Sequence, residues 1–366
     1  IFQLIGYFID IYYNRIKVEK NFFNFALFLL FFPKINSGPI ERGIKMLPQF
    51  HNDNIYNIDF KSLKDGLKMF IWGYFSKVVI SDRLSIAVNR VFSDSSGFDH
   101  IQILIAIIFF TLQVYTDFMG YTFMALGTSK MLGFNLTNNF HLPFFSQSIG
   151  DFWKRWHISL SFWLRDYLFL PISYKSIKIL NKIKHLIGRP ENYAYILATF
   201  VTMGICGIWH GPKWTFLIWG LIHAVYLVVS FLTKNYRKKF LKTIGFNSKS
   251  SFMIILRMLF VFTLISFSFI FFRANTVNEA FLIINSLFIN SSTNNSGLFF
   301  YNIDLYISFG MIAFLFLVEY IQYKRDNNKF TYQLHDVLNI GVIVLVIIFI
   351  VYFGKFGESD FIYFKF

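Results

Sequence analysis

The 366-residue chain has 35 Lys and Arg against 20 Asp and Glu, a formal charge of +15, yet 55% of its residues are hydrophobic and 15% are charged. A soluble globular chain is about 45–50% apolar and about 25% charged, so this balance, with a mean hydropathy of +0.50, excludes an ordinary soluble domain. One cysteine, Cys206, excludes an internal disulfide and any cysteine-based metal cluster.

A spanning helix needs about 20 mostly apolar residues. In chain order the candidates are 1–13, which is incomplete, 66–80, which is short, then 101–127, 192–209, 214–233, 252–272, 300–321 and 339–353. The 22–32 run is too short to cross; it reads as a re-entrant or interfacial segment. Beginning at Ile1 inside an apolar run, the sequence reads as starting part-way into a longer protein, and 1–366 as a single transmembrane domain. Lys and Arg crowd into 14–20, 34–64, 175–189, 234–249 and 324–329, whereas the alternate loop 273–300 holds Arg273 alone. Counting crossings puts the rich loops on one side, the positive-inside pattern of a multi-pass protein. The positive charge is therefore read as loop charge facing the cytoplasm, and no nucleic-acid partner is expected. Between 128 and 190 a simple bundle gives way to mixed polarity, with Pro143 and Pro171. There Phe152, Trp156, Leu160, Trp163 and Tyr167 recur at three- and four-residue steps, which predicts one face of one helix. Asp151, Lys154, Arg155, Arg165 and Asp166 take the polar positions. An interfacial amphipathic helix and the wall of a functional cavity both fit. The polar tract Asn290–Gly297 reads as an exposed loop.

Ionisable groups in apolar surroundings are costly and are functional candidates by default. Of the eight histidines, His51, His100, His185 and His335 sit in polar loops and read as solvated. His141 reads as structural, and His223 as a helix-packing residue. His210 is different. A nearly uncharged run ends in Trp209–His210–Gly211–Pro212–Lys213–Trp214, where Gly211 can end a helix and Pro212 cannot continue one. Irregular backbone at membrane depth is tolerated where it is buried in protein or lines a wet cavity. His157 follows the charged segment 151–156, and two histidines can serve as a base and its orienting partner. Cys206 and His210 share a helix face, but two ligands are too few for a metal site. No P-loop, Gly-x-Ser-x-Gly elbow or His-Glu-x-x-His motif is present.

Several blocks in order resemble the membrane-bound O-acyltransferase family. Residues 32–40 (FPKINSGPI) with Leu47–Pro48–Gln49 are similar to its Gly-Pro-Ile block. Tyr115–Thr116–Asp117–Phe118–Met119–Gly120–Tyr121 resembles the next, and 151–167, from Asp151–Phe152–Trp153 to Arg165–Asp166–Tyr167, resembles the family's most recognisable stretch. Trp209–His210–Gly211, followed by Trp214 and Trp219–Gly220, is similar to its Trp-His-Gly motif. Phe271–Phe272–Arg273–Ala274 and Phe353–Gly354–Lys355–Phe356 are like the tail of the alginate O-acetyltransferase branch.

The resemblance implies an all-α polytopic fold with re-entrant and interfacial helices, in a bacterial cytoplasmic membrane. It implies that His210 is the active-site residue and His157 the second histidine near the reaction centre. Asp117, Asp151, Trp153, Arg155, Trp156, Arg165, Asp166, Trp209 and Trp214 would support the site or line a substrate channel. It implies no bound cofactor and no metal. The donor would be a cytoplasmic thioester, acetyl-CoA or an acyl carrier protein, and the acceptor an extracellular polysaccharide, alginate-like or peptidoglycan. An extracytoplasmic transferase or polysaccharide-assembly proteins are the implied partners. D-alanyl transfer to teichoic acids is the alternative within the enzyme class, and a transporter or channel the alternative outside it.

Overall fold

A computed structural model describes residues 1–51, 59–93, 97–243, 245, 247, 250–288, 303–326, 340–357 and 361. These residues contain helices and connecting turns and no strand. Short helices come first, α1 (Phe2–Tyr12), α2 (Phe22–Leu30) and α3 (Gly43–Phe50). Helix α4 (Phe60–Phe75) passes through a π-helical turn, Ser76–Ser81, into α5 (Asp82–Ser93). The 66–80 candidate is thus the middle of a helical run, its hydrophobic signal diluted by the polar residues of α5. Next come α6 (His100–Met131), the short α7 (Ile149–Arg155) and α8 (Ile158–Leu164), then α9 (Leu170–Leu180) and α10 (Lys184–Ile187). The chain continues through α11 (Pro190–Trp209), α12 (Trp214–Leu232), α13 (Lys234–Thr243), α14 (Ser251–Arg273) and α15 (Val277–Ser286). It closes with α16 (Ile303–Asp326) and α17 (Ile340–Phe353).

Five of these helices, α6, α11, α12, α14 and α16, are long and apolar enough to cross a membrane. The expected spans 101–127, 192–209, 214–233, 252–272 and 300–321 fall on them, except that 300–302 lie outside the described residues. The 1–13 and 339–353 candidates yield helices of 11 and 14 residues, and residue 339 is outside the described set. So are the Asn290–Gly297 loop and His335. Helix α13 carries Lys234, Arg237, Lys238, Lys239 and Lys242 on exposed positions, as a segment outside the apolar spans of a multi-pass protein should.

Two compact units are present, one drawn from Ile1–Asn89, Leu112–His141 and Gly297–Lys365, the other from Arg90–Thr111 and Leu142–Ser296. In the first, Tyr7, Phe28, Phe31, Met46 and Leu47 form a core around α1–α3. Helix α4 lies backbone to backbone on α6, because Gly66 faces Gly127 and Gly73 faces Gly120. A Cβ on Gly66 would stand 2.6 Å from the Gly127 carbonyl oxygen, and one on Gly73 would collide with that of Gly120. Small residues at such crossings are how membrane helices gain close contact. Several buried charged groups of this unit have polar partners. Lys77 lies 2.7 Å from Asp82 and 2.8 Å from Asp117, Arg83 meets Asp304, and the Tyr115 hydroxyl donates to Glu319 at 2.5 Å. An unpaired ammonium there would carry a large desolvation penalty.

In the second unit α11 and α12 form an antiparallel hairpin. A Cβ on Gly220 would strike the Met203 carbonyl, and one on Gly207 the Phe216 carbonyl. Helix α14 packs on α12, with the Thr215 hydroxyl donating to the Ala274 carbonyl at 3.3 Å.

Gly73→Ala is expected to lower stability by roughly 1–3 kcal/mol, the usual range for overpacking. Gly150→Ala in α7, where an added Cβ meets nothing within 4 Å, should be neutral or gain about 0.5–1 kcal/mol. Thermal unfolding of the two variants in detergent checks the contrast, and equal shifts would contradict the α4–α6 contact.

Candidate active site

The stretch 151–167 is not one helix. Trp156 is extended (φ −103°, ψ 128°) and His157 is left-handed (φ 41°, ψ 56°), which ends α7 and starts α8. Histidine is among the few non-glycine residues enriched in that region, and holding it there costs about 1–3 kcal/mol. The expectation of one continuous amphipathic helix is therefore corrected, for a reason that periodicity cannot register. The five stripe residues Phe152, Trp156, Leu160, Trp163 and Tyr167 are all buried nonetheless. What the break does is turn the His157 ring inward, where it too is buried, 6.2 Å from the Trp209 ring.

His210 caps α11, its N–H bonded to the Gly207 carbonyl at 3.1 Å. Gly211 follows with φ +154°, and a Cβ there would stand 2.9 Å from the Phe216 ring. The turn into Pro212 thus needs glycine twice over, for its φ and for its space. The His210 ring is enclosed by aromatic rings at 4.8 Å (Trp209), 5.0 Å (Phe272) and 5.1 Å (Trp219), with Trp219 perpendicular to it at 89°. Beyond Trp219 lies His223, 4.9 Å away, itself 5.1 Å from Trp153.

Burial disfavours the charged form of both imidazoles. It pulls His210 below the ordinary histidine range, and it pulls His157 well below, with positive charge on His210 adding to that effect. Both are therefore neutral at physiological pH, the form that can accept a proton.

The other expected residues scatter. Trp209 is in the ring cluster, between His157 and His210, although its own surface is 41% exposed. Trp153 joins through Trp219, at 6.1 Å. Arg155 is buried and held by Asp151 at 3.0 Å, while Asp151 also accepts from the Gln147 backbone at 3.2 Å. That pair spans one turn within α7. Trp156 stacks on Phe152 at 5.4 Å. Arg165 and Asp166 pair with each other at 2.7 Å, with the Arg165 side chain half exposed. Trp214, at the start of α12, is 73% exposed. Asp117 belongs to the first unit, bonded to Lys77 and to the Ser81 hydroxyl. There Lys77 and Asp82 border a cavity of about 490 Å³ lined also by Tyr74, Tyr121 and Phe361. Sequence reasoning read Phe272 and Trp219 as parts of family blocks and His223 as a helix-packing residue, and counted none of them among the site residues. The signal for the last two was their four-residue spacing on the helix that follows Trp209–His210–Gly211. Among the described residues no group of three or more His, Cys, Asp or Glu could hold a metal.

The family model for MBOAT, the membrane-bound O-acyltransferase family, matches residues 13–272. The chain belongs to that family. Within it, the chain is 32% identical over 283 residues to the "Probable alginate O-acetylase AlgI" of Pseudomonas fluorescens, covering 76% of this chain and 51% of that protein. It is 33% identical over 268 residues to the "Peptidoglycan O-acetyltransferase" of Helicobacter pylori, covering 73% and 47%. It is 32% identical over 219 residues to the "Teichoic acid D-alanyltransferase" of Bacillus subtilis, covering 58% and 52%. The chain spans about half the length of these relatives. Both histidines, His157 and His210, lie inside the matched MBOAT region, as do Trp153, Trp219, His223 and Phe272.

Gly211→Ala should push the Phe216 ring and strain the turn, lowering stability by about 1–3 kcal/mol. The check is thermal unfolding, and an unchanged melting point would contradict the tight turn that seats His210.

Proposed function

We propose that this protein is an O-acyltransferase that moves an acetyl group from a cytoplasmic thioester toward hydroxyls of an extracellular polysaccharide, with His210 as general base and His157 as its partner. The supporting observation is two buried, neutral imidazoles joined through one tryptophan, in a chain of the MBOAT family. In this reading His210 takes the proton of the acceptor hydroxyl as its oxygen attacks the thioester carbonyl carbon. A C–O bond forms, the C–S bond breaks, and the proton passes to the departing thiolate, leaving ester and free thiol. Desolvation has two consequences here. It guarantees a base that is unprotonated at neutral pH, and it makes the imidazolium costly, so the proton must leave the ring as the sulfur departs. General-base catalysis of this kind contributes about 10²–10⁴-fold in rate. The donor would be acetyl-CoA or an acyl carrier protein, reaching the site from the basic, cytoplasmic face of a bacterial inner membrane. An extracytoplasmic transferase would carry the acetyl group onward to the polymer.

Acetyl is favoured over D-alanyl because the acetyltransferase relatives match more of the chain, 73–76% against 58–63%. Purified full-length protein given labelled acetyl-CoA, the partner transferase and alginate or peptidoglycan fragments should transfer label, and His210→Ala should lose at least about 10²-fold. His157→Ala should lower turnover with insertion intact. Solute flux that persists in His210→Ala, with no transfer in any form, would establish a transporter instead.

The pH profile carries a sign. Only neutral imidazole works, and burial lowers the pKa of both rings. Turnover should therefore stay level as pH falls from 8 through the ordinary histidine value of about 6.5, and drop only below it. A half-maximal point at the ordinary value would contradict a desolvated base.

A further inference from the structure

The cavity of about 490 Å³ is lined wholly by residues of the first unit, and the transfer step proposed above uses none of them. Its volume is that of a small-molecule site, which typically holds about 300–1,000 Å³. Three of the sequence blocks meet there, through Phe32 and Pro33, through Tyr121, and through Phe356. Lys77 and Asp82 are 6% and 3% exposed, whereas Phe32 and Phe356 are 63% and 57% exposed. The charges thus form the inner part of the wall and these two rings the outer part.

The π-helical turn Ser76–Ser81 creates the charged wall. At 3.6 residues per turn, positions 77 and 82 would point about 140° apart. A turn closed by i→i+5 bonds brings them to one side. Lys77 then reaches Asp82 at 2.7 Å and, on α6, Asp117 at 2.8 Å. One lysine against two aspartates leaves this cluster with a net negative charge. The next side chain, Arg83, is directed elsewhere: it bonds Asp304 and, at 2.6 Å, the Phe353 carbonyl, and it does not line the cavity. An ammonium has three protons. Those of Lys77 serve two carboxylates and the Phe361 ring, whose centroid lies 4.7 Å from Nζ. A carboxylate can accept about four hydrogen bonds, so this wall offers a ligand an acceptor, Asp82.

The rest of the lining agrees in sign. Phe32, Tyr74, Tyr121, Phe356 and Phe361 bring five aromatic rings to one cavity, and ring faces attract cations. Lys77 over Phe361 already uses one ring in that way. An anion would meet negative charge and electron-rich rings. We propose that this cavity binds an organic ammonium ion, with its charged nitrogen against Asp82 and its apolar body along Val78, Met124 and Ala125. The site goes beyond the transfer reaction and does not depend on the reading of His210.

The test measures binding and not turnover. Full-length protein in phosphatidylglycerol nanodiscs is titrated calorimetrically with hexylammonium, hexanol and hexanoate, which share a chain and differ in the head. Hexylammonium should bind about tenfold or more tighter than either of the others, the effect of a hydrogen bond to a charged group. Asp82→Asn, which leaves Lys77 with Asp117, should remove that preference. Phe356→Leu, at an exposed position, should weaken hexylammonium about two- to fivefold and leave hexanol unchanged. It carries the test should Asp82→Asn fail to fold. Discs containing phosphatidylethanolamine separate two sources of the same chemistry. Competition there assigns the site to a lipid headgroup, and an unchanged titration assigns it to a free ammonium compound. Hexanoate binding as tightly as hexylammonium would show that Lys77 faces the ligand, and overturns the proposal. So does equal binding of all three probes, binding of none, or a preference that survives both substitutions.

Discussion

The second unit depends on one close approach, that of α11 and α12 at Gly207 and Gly220. Neither position has room for a methyl group, because each glycine faces a backbone carbonyl of the other helix. Two helices in such contact leave little slack in the turn between them, and His210 begins that turn. Its ring position is therefore set by backbone packing. The aromatic neighbours Trp209, Trp219 and Phe272 come from α11, α12 and α14, and each is placed by a helix rather than a loop. Sites built on helices are held more tightly than sites built on loops.

The same unit contains the opposite device. His157 sits in a strained backbone conformation between two seven-residue helices, and the Asp151–Arg155 pair stabilises the helix on one side of it. Strain of this kind persists only where the surroundings over-determine it. Here the surroundings are the buried rings of Phe152 and Trp156 before the break and of Trp163 and Tyr167 after it. The protein thus seats one histidine by close packing and the other by distortion. It keeps the imidazoles out of water, while the first unit pairs its buried Lys77 with two carboxylates.

Hydropathy was enough for the five long helices, because a spanning segment must be apolar over its full length. It failed at 60–93, where polar residues extend a helix without a greasy signal, and at 128–190, where short helices meet through a left-handed histidine. His210 was legible because Gly211 and Pro212 mark a helix end. Asp117 was legible as a family residue, but its pairing with Lys77 was not, since 40 positions of sequence separate the two. His223 read as a packing residue, and it is buried among rings. Its contact with the Ser268 hydroxyl at 3.1 Å joins two helices, a relation that no spacing rule contains.

The central claim is that the His210 imidazole sits where thioester and hydroxyl meet. It is tested most directly by a density map of the full-length protein in lipid nanodiscs with a non-hydrolysable thioether analogue of acetyl-CoA. The account requires the carbon that stands in for the thioester carbonyl to lie against the His210 ring, among Trp209, Trp219 and Phe272. An analogue bound elsewhere, with His210 enclosed by protein on every side, would contradict it.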